Sequence, residues 1–182
     1  GSAFGFDFNP VIDRIRVVSD ANQNLVLNPD TGAVQLNATA LFYDGSDPNA
    51  GKDPNVVGSA YTNNFPGAPS TRLYGIDTGL DILVKQANNT GVLTTVGSLG
   101  GDITTLVGFD VSGNTGVAYA ASQDASGSIS MFWSINLNTG AATSLGQIGG
   151  GTLISSMTLA VPAPSAGLAV LMGAALAIRR GR

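Results

Sequence analysis

The chain has 182 residues, no cysteine and no histidine; all twelve of its acids are aspartates, and eight basic residues leave a net charge of −4. Missing thiols and imidazoles exclude disulfides, iron–sulfur clusters, thiolate- or His-ligated zinc, His-ligated haem and His-based triads. Apart from three arginines at the C-terminus, five basic residues face twelve acids, a body charge of −7, which argues against nucleic acid, whose affinity rests on phosphate neutralisation.

In chain order, short apolar segments alternate with Gly, Asn, Asp and Pro. Strands are expected over residues 14–18, 24–27, 34–41, 57–62, 72–76, 82–86, 93–96, 105–109, 117–121, 128–137 and 153–159. Each has strand length and enough β-branched or aromatic residues to prefer strand to helix. No amphipathic helix of three turns precedes residue 161. Three turns are of one kind: Asn28-Pro29-Asp30-Thr31-Gly32, Asn88-Asn89-Thr90-Gly91 and Asn136-Leu137-Asn138-Thr139-Gly140. Asn and Asp bond their own backbone there, glycine takes the left-handed conformation, and each turn predicts a hairpin.

The flanks repeat as well. Leu73-Tyr74-Gly75-Ile76-Asp77 resembles Phe132-Trp133-Ser134-Ile135-Asn136, and Leu93-Thr94-Thr95-Val96-Gly97 resembles Ala142-Thr143-Ser144-Leu145-Gly146. Phe6-Asp7-Phe8-Asn9 resembles Gly108-Phe109-Asp110-Val111. Gly91 and Gly140 are 49 residues apart, within the range of a four-stranded propeller blade. The expected fold is all-β: antiparallel propeller-like blades in an incomplete or open propeller, since about three units fit and four is the usual minimum for closure. Either further units stand upstream or the open edges pair with something else. An irregular β-sandwich with look-alike hairpins is the alternative.

The densest polar loop runs from Asp44 to Asn55. Asp44, Asp47, Asn49, Asp53 and Asn55 offer oxygens of the kind calcium takes, although the spacing is not that of an EF-hand and Lys52 opposes a cation. An exposed Asx-rich turn accounts for the same residues. Asp7, Asp13, Arg14 and Arg16 form the one concentrated mixed-charge segment, read as ion pairs between adjacent strands, with Arg14 and Arg16 on one face. Tyr61, Tyr74 and Trp133, with Tyr43, Phe65 and Phe132, are candidates for a sugar-stacking platform, against the alternative that they pack between sheets. Phe132 and Trp133, being adjacent, face opposite sides of a regular strand.

The last residues read as a membrane-directed tail. A spacer, Val161-Pro162-Ala163-Pro164-Ser165, precedes thirteen uncharged residues from Ala166 to Ile178 and a basic end. A helix of that length spans about 20 Å against a hydrocarbon core of roughly 30 Å, so snorkelling and local thinning would have to make up the difference. Leu168, Val170, Leu171, Met172, Leu176 and Ile178 would contact lipid. Arg179, Arg180 and Arg182 would favour a cytoplasmic end, leaving the body outside. The alternative is a helix packed on the protein's own core.

This tail resembles the PEP-CTERM sorting signal of Gram-negative bacteria, with Ala163 where that motif has glutamate. The resemblance implies export, transient anchoring and probable cleavage. The body, through Phe4-Gly5-Phe6-Asp7-Phe8-Asn9-Pro10, Asp13-Arg14-Ile15-Arg16-Val17-Val18-Ser19 and Leu27-Asn28-Pro29-Asp30-Thr31-Gly32, resembles a bacterial secreted, propeller-like domain family of unknown function. That resemblance implies architecture and compartment, further blade-like repeats before Phe4, and no established activity.

The division expected is a β domain over 1–160, a Pro-containing spacer over 161–165 and a membrane-directed helix with a basic end over 166–182. The function expected is non-enzymatic: an exported, membrane-tethered structural or interaction protein on the extracytoplasmic face of a bacterial membrane, in the periplasm or at the cell surface. Its partners would be the membrane, through the tail, and proteins or further copies, through β edges. No cofactor is expected beyond calcium at the Asp-rich loop. The alternatives are an accessory subunit of a membrane complex and a surface polysaccharide-active enzyme using aspartates.

Overall fold

The computed structural model describes residues 1–160. The expected C-terminal helix and its candidate lipid and arginine contacts lie outside those residues. Among the described residues no helix is long and apolar enough to cross a membrane.

Three sheets form in chain order. Strands β1 (Phe4–Asn9), β2 (Arg14–Ser19), β3 (Asn24–Leu27) and β4 (Val34–Asn37) make sheet 1 in that order. After the short β5 (Phe42–Tyr43), strands β6 (Val56–Tyr61), β7 (Leu73–Asp77), β8 (Ile82–Ala87) and β9 (Val92–Ser98) make sheet 2. Strands β10 (Val107–Val111), β11 (Ala118–Gln123), β12 (Ser130–Ile135) and β13 (Ala142–Gln147) make sheet 3. Every pairing is antiparallel except β5 on the outer edge of β9, which is parallel. None of the sheets closes on itself, so the all-β expectation holds in the form of three open, blade-like sheets.

The first strands of the sheets lie innermost: β6 packs against both β1 and β10. Sheet 2 is the middle layer. Val18, Leu41, Tyr43, Val56, Val84 and Leu93 join it to sheet 1. Val57, Ile76, Leu83, Phe109, Ala120 and Ile135 join it to sheet 3. Two covered faces explain why every residue of β6 and β7 is buried, the mark of a strand packed on both sides. Strand β1 has one covered face and alternates: Gly5, Asp7 and Asn9 are buried, Phe4, Phe6 and Phe8 exposed.

The three Asn-Gly turns occupy one place, joining the last two strands of each sheet. Asn28 Oδ1 accepts the Asp30 and Thr31 N–H groups, and Asn136 Oδ1 those of Asn138 and Thr139. Gly91 and Gly140 have positive φ, and a Cβ on either would collide with backbone that precedes its sheet: with the Thr39 and Ala40 carbonyls of the β4–β5 link at Gly91, and with the Gly97 carbonyl of β9 at Gly140. Gly32 has the same φ but open space around it, because no described sheet precedes sheet 1. Between Gly32 and Gly91 the interval is 59 residues rather than 49, since β5 and the Asp-rich loop enter there.

The segment 153–159, expected as a strand, is not one in the described structure, yet it has a defined place. Asp7 Oδ1 accepts the Phe8 N–H (2.7 Å) and its Oδ2 the Tyr61 N–H of β6 (2.5 Å). Asp110 does the same: Oδ1 accepts the Val111 N–H (2.7 Å) and Oδ2 the Leu159 N–H (2.7 Å). A Cβ on Gly5 would meet the Gly58 and Ser59 backbone at 2.9 Å, and one on Gly108 would collide with Ser156 and Met157. Residues 156–159 thus stand to β10 as 58–61 stand to β1, in the position of the first strand of a fourth sheet. Apolar content alone led to a ladder-paired strand being expected, whereas carboxylate and hydroxyl acceptors hold this segment.

Three further expectations are corrected. The run 34–41 is not one strand: it ends at Asn37, and the chain crosses from sheet 1, where Leu41 N–H still bonds the Asn22 carbonyl of the β2–β3 turn, to sheet 2, where Phe42 N–H bonds the Gly91 carbonyl. Strands β1 and β13 form where the sequence reading marked only repeats. The likeness of 73–77 to 132–136 is not positional, because β7 is the second strand of its sheet and β12 the third. The likeness of 93–97 to 142–146 is positional, both being fourth strands.

Candidate functional site: a cavity among the inner strands

Strands β1, β6 and β10 and residues 156–158 surround a cavity of about 600 Å³. Its apolar walls include Val57, Val107, Phe109 and Met157; on the exposed face of β1, Phe6 and Phe8 meet edge to face with centroids 5.7 Å apart. Ser156 and Thr158 line it from the last segment, and Asp7, Asp110 and Ser59 supply the polar groups on its strands. All three are buried, and Ser59 Oγ has no hydrogen-bond partner in the protein. Burial, against the opposing pull of the Tyr61 N–H and with a smaller push from the Asp110 charge, raises the Asp7 carboxyl to about 7.

Beside this cavity a buried polar network ties sheet 1 to sheet 2. Arg16 donates from Nη1 to Asn24 Oδ1 (2.6 Å) and from Nη2 to Asn89 Oδ1 (2.7 Å). Asn24 Oδ1 also accepts Gln86 Nε2 (3.0 Å), while Asn24 Nδ2 donates to the Thr39 and Asn88 carbonyls at 3.0 and 2.9 Å. Tyr61 Oη bonds Asn88 Oδ1 (3.1 Å). Register places Asp7 opposite Arg16 and Asn9 opposite Arg14, but the expected ion pairing takes another form: Asp7 serves backbone N–H groups and Arg16 serves amide oxygens. Buried backbone donors have to be satisfied, and a carboxylate is the acceptor within reach.

Asp77 holds the β7–β8 hairpin to β5. Its Oδ1 accepts the Gly79 and Leu80 N–H groups, and its Oδ2 the Asn55 N–H (3.1 Å) and Tyr43 Oη–H (2.5 Å). Burial pushes the Tyr43 phenol above its ordinary pKa, and the Asp77 carboxylate adds to the effect. Asp77→Ala is expected to cost about 4 kcal/mol, because buried donors lose a charged acceptor. Urea denaturation checks this; a loss below about 1 kcal/mol, the net worth of one ordinary hydrogen bond, would contradict it.

The structure spreads the residues of the Asp-rich loop over separate partners. Asp44 accepts from Ser46, Asp47 from Asn49 and Thr95, and Asp53 from Asn22 Nδ2; Asn49 bonds Thr95 Oγ1 and Lys52 Nζ; the Asn55 N–H goes to Asp77. Among the described residues no three His, Cys, Asp or Glu side chains gather where a metal ion could be held. Burial raises the Asp47 carboxyl, but the Thr95 and Asn49 donors outweigh it and hold the group below the usual range.

The aromatic candidates are not brought together. Tyr61 and Tyr74 are buried, Tyr74 in the core shared with sheet 3. Trp133 packs on that same core and donates Nε1–H to Ser122 Oγ (3.1 Å). Phe132 stacks on Tyr119 instead, with centroids 5.4 Å apart, so the two adjacent aromatics face opposite sides of β12, as strand alternation requires. The exposed aromatic row is Phe4, Phe6 and Phe8, whose signal was the strict alternation Phe-Gly-Phe-Asp-Phe. Asp110 and Ser59 were legible only as a repeat partner and as an ordinary strand residue.

No protein of curated function matches the chain. A family model does match residues 1–158, and by it the chain belongs to DUF4394, a domain of unknown function.

Proposed function

We propose that this protein is a non-enzymatic interaction module, exported and held at the extracytoplasmic face of a bacterial membrane by its C-terminal tail, that binds through the exposed face of sheet 1. The observation that carries this reading is the uncovered face of sheet 1. Phe4, Phe6 and Phe8 are 51%, 53% and 46% exposed on β1, and Val34, at the far end of the Phe8–Ile15–Leu27 row, is exposed on β4. A contiguous apolar face of this kind marks a contact surface. Beside it Gly32 leaves open the slot that the corresponding glycines of sheets 2 and 3 fill. The tail's apolar run and arginines support the tether.

The polysaccharide-enzyme reading is favoured by one observation, the raised Asp7 carboxyl beside Asp110 in an apolar-walled cavity. Against it, every oxygen of both carboxylates already accepts a backbone N–H, which is how a structural clamp is built.

Extraction of the full chain from native membranes in mild detergent, followed by native and intact mass, tests the module. The wild type is expected in a fixed complex, with itself or with a partner, and Phe6→Asp as a lone chain. Phe6 is exposed, so that variant should change folding stability by no more than about 0.5 kcal/mol. Wild type and variant both running as lone chains would contradict the reading. A terminus at Arg182 would favour a retained accessory subunit, and one near Pro162 a sorted and released protein.

A further inference from the structure

We propose that the cavity among β1, β6 and β10 is a binding site for a small organic cation bearing an ammonium group and an apolar body. This goes beyond the docking role of the sheet 1 face. The volume, about 600 Å³, suits a small ligand. No lysine or arginine lines it, so its fixed charges are the carboxylates Asp7 and Asp110. Both are buried; the two Asp7 oxygens and Asp110 Oδ1 each accept one backbone N–H and keep a second lone-pair direction, while Asp110 Oδ2 is filled by the Leu159 N–H and the Thr158 hydroxyl.

Three features together select a cation. Two desolvated carboxylates near enough to repel are relieved by one positive charge between them. Val57, Val107, Phe109 and Met157 line the cavity and give the apolar body of such a ligand a wall to pack on. Ser59 is 2% exposed and lines the same cavity with an unpartnered hydroxyl, a polar group that native interiors seldom leave unpaired. A neutral apolar molecule would satisfy the apolar wall and leave the carboxylates and hydroxyl desolvated, and an anion would meet repulsion.

The charged and titratable groups around Asp7 are Arg16 opposite it on β2, Tyr61 on β6 and Asp110 on β10. Arg16 is committed to Asn24 and Asn89. Since Asp7 is protonated at the acid end of the range, a cation has to displace that proton. Binding is therefore expected to strengthen as pH rises and to release protons near pH 7.

Isothermal titration of the full chain with benzyltrimethylammonium chloride, with benzyl alcohol as the neutral probe, tests this. Saturable binding of the cation is expected, at least about tenfold tighter at pH 8.5 than at pH 5.5 for a carboxyl that titrates near 7. Benzyl alcohol should bind at least tenfold more weakly than the cation and without that pH dependence. Asp110→Asn and Ser59→Ala should each weaken the cation, and Asp30→Asn, on an exposed turn, should leave it unchanged. Thermal melts show whether each variant is folded, and Ser59→Ala keeps the test valid if Asp110→Asn is not. Absence of saturation by the cation, equal binding of the alcohol, or equal weakening by Asp30→Asn would each overturn the proposal.

Discussion

Asn24→Leu will remove about 5 kcal/mol of folding stability, the largest single effect this fold predicts. The asparagine has no exposed surface and uses every hydrogen-bonding position it has: two acceptances, from Arg16 and Gln86, and two donations, to the Thr39 and Asn88 carbonyls. Leucine matches its size but answers none of these groups. A buried guanidinium loses an acceptor and the Thr39 carbonyl is stranded, while Gln86 Nε2 and the Asn88 carbonyl are left with only their bond to each other. Each stranded neutral group costs about 1–3 kcal/mol and a charged one more. Domains of this size are stable by only about 5–15 kcal/mol, so the variant sits near the unfolding threshold. Because the network joins β2 and β3 of sheet 1 to the β8–β9 turn of sheet 2, sheet 1 should loosen first, and exchange of the amides of residues 14–19 should accelerate ahead of those in β11. Urea denaturation reads the total. A cost under about 1 kcal/mol, the worth of one ordinary hydrogen bond, would mean that the network is not formed.

The second large effect is a dependence on pH carried by Asp7. Its carboxyl rises from the ordinary 3.8 to about 7 on folding, chiefly through burial. Between those values the folded protein binds a proton that the unfolded chain has released, so stability is greatest at the acid end and falls as pH climbs from about 4 to about 7. The full shift corresponds to at most about 4 kcal/mol. The Asp44, Asp47 and Asp124 carboxyls are held below the ordinary range by their hydrogen-bond donors, so whatever they contribute is lost at more acid pH. Thermal melts from pH 4.5 to 7.5 should therefore show a falling melting temperature in the wild type and a nearly flat one in Asp7→Asn. The variant should also be less stable at the acid end, because its amide can accept only one of the Phe8 and Tyr61 N–H groups. A wild-type melting temperature that rises across this window, or a slope that survives in Asp7→Asn, would contradict the assignment.

Much of the architecture was legible because turn chemistry is local. Asn28, Asn136 and their glycines announce hairpins through bonds that span a few residues, and the 49-residue interval from Gly91 to Gly140 is the true repeat from one sheet to the next. The buried strands β6 and β7 were found from continuous apolar content. Strand β1 was not, because its inward positions are Gly5, Asp7 and Asn9, small or polar residues that belong inside only because β6 comes close and offers a backbone N–H. The run 34–41 read as one strand because periodicity does not reveal where a chain leaves one sheet for another. The likeness of 73–77 to 132–136 misled for a related reason: second and third strands of a blade bear the same apolar demands. The site was legible least of all. Asp7 and Asp110 are 103 positions apart in sequence, and only the inward packing of β1, β6 and β10 brings them to one cavity.

In the proposed function, the Phe4-Phe6-Phe8 face of sheet 1 is the surface by which this protein engages its neighbours. Photo-crosslinking in the native host tests it most directly, with a photoreactive residue placed at Phe6 and, for comparison, at the exposed Leu106. A discrete adduct is expected from position 6, a second copy or one defined partner by mass spectrometry, that is absent from position 106 and lost when Phe8→Asp is added. No adduct at position 6, or the same adducts from both positions, would contradict it.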